Sequence, residues 1–397
     1  MINADQTEQK FTPARVWQYS FVFFVILSFV GYYLLPSSQA NNFPTYVVAI
    51  MFVIDMWRSS GIRIQKTTTF RCFLILVLYL LCSVGWSEKR ETREIVSLFG
   101  NAMLLLSMVM SVVRCNQYFD KFGSWLIASI VGCATLSAGY FLFVASGDLG
   151  RPPGRLSTQS VAAISYGSAL VMAAFLVLKS NRPLFRWSWL ACFLILGAAC
   201  YQLEYNYVWL ALAGSLVVIS FSRVWEYGDT IYVFSWMIVA TCLLVAFLYL
   251  FDMVLVSDRQ LIWESVVNMV YDSRPIFGSG ILTPIIPMVD CEQFPILLDS
   301  FAGCNFQHPH NLFVASLFRG GVVGLALLVI LYMVSISCAL ESDKDEKWLV
   351  LAILSYCAVV FLFDGDHLLS KINFVWMIFW LPIAFSISLE YREMEVN

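Results

Sequence analysis

Asn311-Leu-Phe-Val-Ala-Ser-Leu-Phe-Arg319-Gly-Gly-Val-Val-Gly324-Leu-Ala-Leu-Leu-Val-Ile-Leu-Tyr-Met-Val-Ser-Ile-Ser-Cys338 is a run of apolar and small residues broken by one charge, Arg319. About 20 such residues, rising about 1.5 Å each as a helix, cross the roughly 30 Å of hydrocarbon in a bilayer. This run is longer, so it reads as a membrane span. Similar runs recur near 17–35, 43–57, 71–86, 95–113, 124–146, 160–178, 187–202, 206–221, 230–252, 348–363 and 372–390. Together they predict an all-α, polytopic membrane bundle of about twelve spans, the second, seventh and eighth being short.

Composition agrees. The chain is 60% hydrophobic and 13% charged, with a mean hydropathy of +0.76. A soluble domain is nearer half apolar and a quarter charged, so lipid must cover much of this surface. A net charge of −3 gives no electrostatic case for nucleic acid. The first apolar run, Trp17 to Leu35, is too long for the core of a signal peptide and ends in Pro36-Ser-Ser-Gln39. It reads as an uncleaved first span.

Orientation follows from the loops. With both termini inside, the cytoplasmic segments hold about fifteen Lys and Arg, among them Lys10, Arg58, Arg114, Lys179 and Arg392, against about eight outside. Residues 1–252 then form an N-terminal bundle of about nine spans, and 311–397 supply about three more. Between them, 253–310 is far longer than a simple connector and lies outside, where a loop of this length is usually functional. Leu261, Val266, Val267 and Val270 mark an amphipathic helix within it, and Pro275-Ile-Phe-Gly278-Ser-Gly280 punctuates it as a turn. Of the eleven cysteines, nine sit in or beside apolar runs. Cys291 and Cys304 share the external loop and can form a disulfide if that compartment is a periplasm.

The three histidines, His308, His310 and His367, all fall outside in this topology. Pro309 suits the first turn of a helix, which puts His310 and Asn311 at the N-terminus of the tenth span. That end favours a nearby phosphate and a neutral imidazole able to accept a proton. The plainer reading is that His310 caps or anchors the helix. Its neighbours argue for more: Arg259 opens the loop helix, Arg155 lies in another external loop, and Arg319 sits about 13 Å deeper in the same span. A charge within a span is a functional candidate by default, its alternative being a buried pair with Asp252, Glu204 or a carbonyl. Gly320, Gly321 and Gly324 read as a smooth face for helix packing. No HExxH, outward DxD or Cys/His cluster points to a metal, Asp364-Gly-Asp366-His367 being the nearest approach. No nucleotide motif is present either.

In this pattern the chain resembles the bacterial O-antigen ligase and polymerase superfamily. His310-Asn311, nine residues, then Gly321-Val-Val-Gly324 after a long external loop is the clearest match. Arg259-Gln-Leu-Ile-Trp263 leading to Pro275–Gly280 looks like that family's loop-opening segment, and Gly154-Arg155-Leu-Ser-Thr-Gln precedes the sixth span as its Arg does. The family usually carries a further Arg at the start of the eighth span. Here that stretch reads Gln202-Leu-Glu204-Tyr-Asn206-Tyr-Val-Trp209, and Arg319 is a candidate replacement.

The resemblance implies a multi-pass glycosyltransferase of the Gram-negative inner membrane, its site facing the periplasm and its termini cytoplasmic. Such a ligase moves polysaccharide from undecaprenyl pyrophosphate to a hydroxyl of lipid A–core, with inversion and without metal or cofactor. His310 would be the base and Arg259 would offset charge on the pyrophosphate. Arg155, Arg319, Asn311 and His308 would contact substrate. An O-antigen polymerase, a protein O-glycosylating ligase and a flippase or transporter are the other readings. The single dominant loop favours ligase, and the absence of a visible internal repeat argues against transport.

Overall fold

The computed structural model describes residues 12–35, 38–58, 66–88, 90–145, 156, 158–227, 258–285, 309–370 and 372–396. In chain order the described helices are α1 (Pro13–Leu34), α2 (Ser38–Arg58), α3 (Thr68–Cys82), α4 (Thr92–Tyr118), α5 (Phe122–Tyr140), α6 (Gln159–Lys179), α7 (Pro183–Gln202) and α8 (Asn206–Tyr227). After these come α9 (Asp258–Ser273), α10 (Leu312–Glu341), α11 (Glu346–Phe363) and α12 (Leu381–Val396). No strand occurs among the described residues. Eight of the helical segments are long and apolar enough to cross a membrane, and Asn206–Ser222 is a shorter apolar one. The span expected at 230–252 lies outside the described residues.

α6 is the central post. Its sequence is rich in Ala, Ser and Gly, which lets neighbouring helices approach closely, and residues 162 to 176 are continuously buried. Polar groups stitch the neighbours to it. Tyr32 Oη lies 3.0 Å from Ser165 Oγ, Tyr33 donates to the Ser165 carbonyl at 3.1 Å, and Tyr356 donates to the Ile164 carbonyl at 2.9 Å.

Residues expected on the Lys/Arg-rich side meet at one end of the bundle. There Arg114 Nε lies 3.0 Å from Asp55 Oδ2, Trp17 Nε1 donates to Asp55 Oδ1 at 3.3 Å, and Arg392 donates to the Asn116 carbonyl at 2.6 Å. Such pairing satisfies charges at the ends of packed helices. The eight described cysteines are unpaired thiols. Cys291 and Cys304 lie outside the described residues.

At the opposite end the loop helix α9 lies on α10. The stripe that it buries is Ile262, Val266 and Val270, at 0%, 0% and 3% exposure, and Val266 and Val270 pack with Ala315 and Phe318. Val267, expected on that stripe, is 40% exposed. The i, i+4, i+8 row through Ile262 covers α10 and turns Val267 away.

α10 is broken where the sequence suggested only a smooth face. Gly321 takes φ 62 and ψ −164, outside helical geometry and in a region that favours glycine. The Pro275–Gly280 segment enters the gap. Ser279 and Gly280 N–H donate to the Phe318 and Arg319 carbonyls at 2.8 and 3.0 Å, while Val322 and Val323 N–H donate to the Pro275 and Ile276 carbonyls at 2.9 and 3.2 Å. Backbone groups freed by the break are therefore satisfied by the loop, as burial at this depth requires. Tyr79 from α3 holds both partners, donating to the Gly320 carbonyl at 2.6 Å and reaching the Phe277 carbonyl at 3.3 Å. Gly320 and Gly324 do serve close packing, each facing the Tyr79 ring.

Candidate functional site

The site is organised by the short link after α11, Asp364-Gly-Asp366-His367. Gly365 allows it to turn, at φ 108 and against Leu312. The two carboxylates then gather residues far apart in the sequence.

Asp364 collects His310, Arg259 and Tyr207. His310 Nδ1 lies 3.8 Å from Asp364 Oδ1, and Tyr207 donates to Oδ2 at 3.2 Å. The Gly365 N–H donates to Oδ1 at 2.7 Å. Arg259 anchors the same corner by donating to the Phe363 carbonyl at 2.6 Å, with its guanidinium 5.6 Å from the centre of the Tyr207 ring. Burial pushes the Asp364 carboxyl up. The His310 hydrogen bond, the Gly365 N–H and the charge of Arg259 outweigh it, and the group sits below the usual carboxylate range.

That depression has a sign for stability. A carboxylate lowered in the fold stabilises it fully above its unfolded value, about 3.9, and the contribution is lost as pH falls through the lower folded value. Thermal unfolding of the purified protein and of Asp364→Asn should therefore converge as pH falls below about 4. A gap between them that stays constant from neutral to acid pH would show that folding does not lower the Asp364 carboxyl.

His310 and Asn311 lie at the N-terminus of α10 as expected, but Pro309 does not lie where it was expected. Pro309 lies before the helix, not in its first turn, and accepts a hydrogen bond from Trp263 Nε1 at 2.9 Å. Asn311 is the cap. Its Oδ1 accepts from Val314 N–H at 3.0 Å, and its Nδ2 donates to the Leu362 carbonyl at 3.0 Å. His310 precedes the cap with φ 49, a left-handed conformation that His, Asn and Asp adopt more readily than most side chains. The imidazole is thereby turned toward Asp364.

Asp366 collects Arg319 and His367. Arg319 Nη2 donates to Asp366 Oδ1 at 2.7 Å and lies 3.3 Å from His367 Nε2, while Nη1 donates to the Asp366 carbonyl. His367 Nε2 lies 2.8 Å from Asp366 Oδ2, and the ring is half-exposed. The partner of Arg319 is thus Asp366, not Glu204, which is exposed in the α7–α8 turn. Asp252 lies outside the described residues. The α7–α8 stretch that lacks the expected Arg contributes Tyr207 to the Asp364 corner instead.

The structure therefore joins His310, Arg259 and Asn311 around the α11 link and places Arg319 at its other carboxylate. Arg155 and His308 lie outside the described residues. Tyr207 was not a candidate in the sequence; Asp364 and Asp366 appeared there only with His367 in a weak metal motif, and His367 otherwise only as one of three external histidines. Among the described residues no group of three or more His, Cys, Asp or Glu could hold a metal ion. Chemically, the Asp364 corner offers an imidazole oriented by a carboxylate beside a fixed guanidinium, the elements of proton abstraction next to a stabilised anion. No protein-family model and no curated protein matches the chain.

Proposed function

We propose that the chain is a lipid-linked glycosyltransferase of O-antigen ligase type. The observation that carries this reading is the His310, Asp364 and Arg259 corner at the junction of α9, α10 and α11. In the reaction, His310 removes the proton from an acceptor hydroxyl. That oxygen forms a bond to the anomeric carbon from the face opposite the leaving group, the bond to pyrophosphate breaks, and its electron pair departs with the phosphate. Arg259 offsets the charge that develops there. The energy lies in the sugar–pyrophosphate bond, so no nucleotide is consumed.

The donor is an undecaprenyl-pyrophosphate glycan, the acceptor is lipid A–core, and the setting is the periplasmic face of a Gram-negative inner membrane. Support comes from the apolar helices, the motif order and the Lys/Arg distribution. Deleting the gene should remove long chains from lipopolysaccharide gels while polymer still accumulates on the lipid carrier. A core bearing a single repeat unit would instead identify a polymerase, and an unchanged ladder would reject both.

A further inference from the structure

Two cavities meet at the outer end of α4. One is a crevice of about 820 Å³ at the Asp366 corner, where Arg93, Glu94, Asn101, Arg319 and His367 lie among apolar side chains such as Ile281 and Leu369. The other is an apolar groove of about 670 Å³ between α2 and α4. Ser97 and Asn101 line both, so the two adjoin. The groove runs along α4 from Val96 to Ser107, about 16 Å at helical rise and so close to the depth of one leaflet. Its walls face outward: Ile50, Val53 and Met103 are 62%, 64% and 61% exposed.

The two halves differ in chemistry as the two ends of an amphiphile do. The groove takes hydrocarbon. The crevice mixes carboxylates, amides, hydroxyls and guanidinium, and sugar hydroxyls, which both donate and accept, match that mixture. A bare phosphate matches it less well, because Glu91 and Glu94 line the same space and Arg319 is already paired with Asp366. Arg319 Nε is itself buried with no hydrogen-bond partner among the described residues. Asn101 is an amide inside a span that lines both cavities.

We infer that this is a glycolipid site, with acyl chains in the α2–α4 groove and the head sugar in the crevice beside His367. Its role as the acceptor's path rests on the transferase reading; the binding itself does not. The test places benzoylphenylalanine at Met103 or, for comparison, at Leu136 on α5, which is 67% exposed. Each protein is irradiated in phosphatidylcholine vesicles containing a minor fraction of lipid A–core. Crosslinked glycolipid relative to phospholipid should be on the order of tenfold higher at Met103, about 1.4 kcal/mol of preference.

A Cβ added at Gly100 meets nothing within 4 Å, and Gly100 lines the groove, so Gly100→Trp directs an indole into it. It should erase the enrichment at Met103 and leave Leu136 unchanged. Equal ratios at the two positions, or enrichment that survives Gly100→Trp, would overturn the site. If Gly100→Trp does not fold, the comparison of Met103 with Leu136 decides alone. Enrichment in a protein that transfers no glycan keeps the groove and removes the transferase reading; transfer without enrichment does the reverse.

Discussion

His310→Asn should lower glycan transfer by roughly 100- to 10,000-fold, the usual worth of a positioned general base, without removing the protein from the membrane. Asparagine is the informative choice. His310 has a left-handed backbone, which Asn tolerates and which costs Ala about 1–2 kcal/mol. The substitution removes the imidazole and spares the turn into the Asn311 cap. At about 1.36 kcal/mol per tenfold, the loss corresponds to roughly 3–5 kcal/mol on the barrier. If His310 only anchors Asp364, the variant would transfer at the wild-type rate. Arg259→Lys is the companion measurement. It keeps the charge but loses the planar fork that donates to the Phe363 carbonyl and lies over Tyr207, and transfer should fall by at least about tenfold, as expected for a lost charge-assisted contact of 1.5–3 kcal/mol.

Gly321→Ala should unfold the outer half of α10. An added Cβ runs into the Ile276 carbonyl, and the backbone there favours glycine. Relief requires either expelling the Pro275–Gly280 segment or straightening the helix, and both break the four backbone hydrogen bonds between them. At about 0.5–1.5 kcal/mol net for each of the four bonds, the cost is about 2–6 kcal/mol, a large share of the stability of many domains. Limited proteolysis and thermal unfolding in detergent read this directly. Gly324→Ala is the control, since its Cβ would meet the Tyr79 ring at 3.2 Å and the Ser316 carbonyl at an ordinary 3.5 Å, with no close approach to the loop backbone. Equal losses in the two variants would return Gly321 to an ordinary packing role.

The helices were legible because a span needs about twenty apolar residues, a signal strong enough to survive without knowledge of neighbours. The basic residues at one end were legible for a similar reason, since loop charge is local. Arg259, His310 and Asn311 could be chosen because each flanks a helix start. What could not be seen is what holds them together. Asp364 and Asp366 sit in a four-residue link that reads equally as a solvated turn, and nothing local says that one carboxylate faces His310 and the other Arg319. Tyr207 was hidden for the same reason, its partner lying more than 150 residues away. The break at Gly321 was missed because Gly320, Gly321 and Gly324 together resemble a packing face. Only the loop carbonyls that approach Gly321 separate it from the other two.

The most direct test reconstitutes purified protein in vesicles with an undecaprenyl-pyrophosphate glycan and lipid A–core, and follows the joined product on a gel. Wild-type protein should convert donor and acceptor to that product, and His310→Asn at equal protein level should yield almost none. Absence of product with the wild type, or equal product with His310→Asn, would contradict a transferase built on the Asp364 corner.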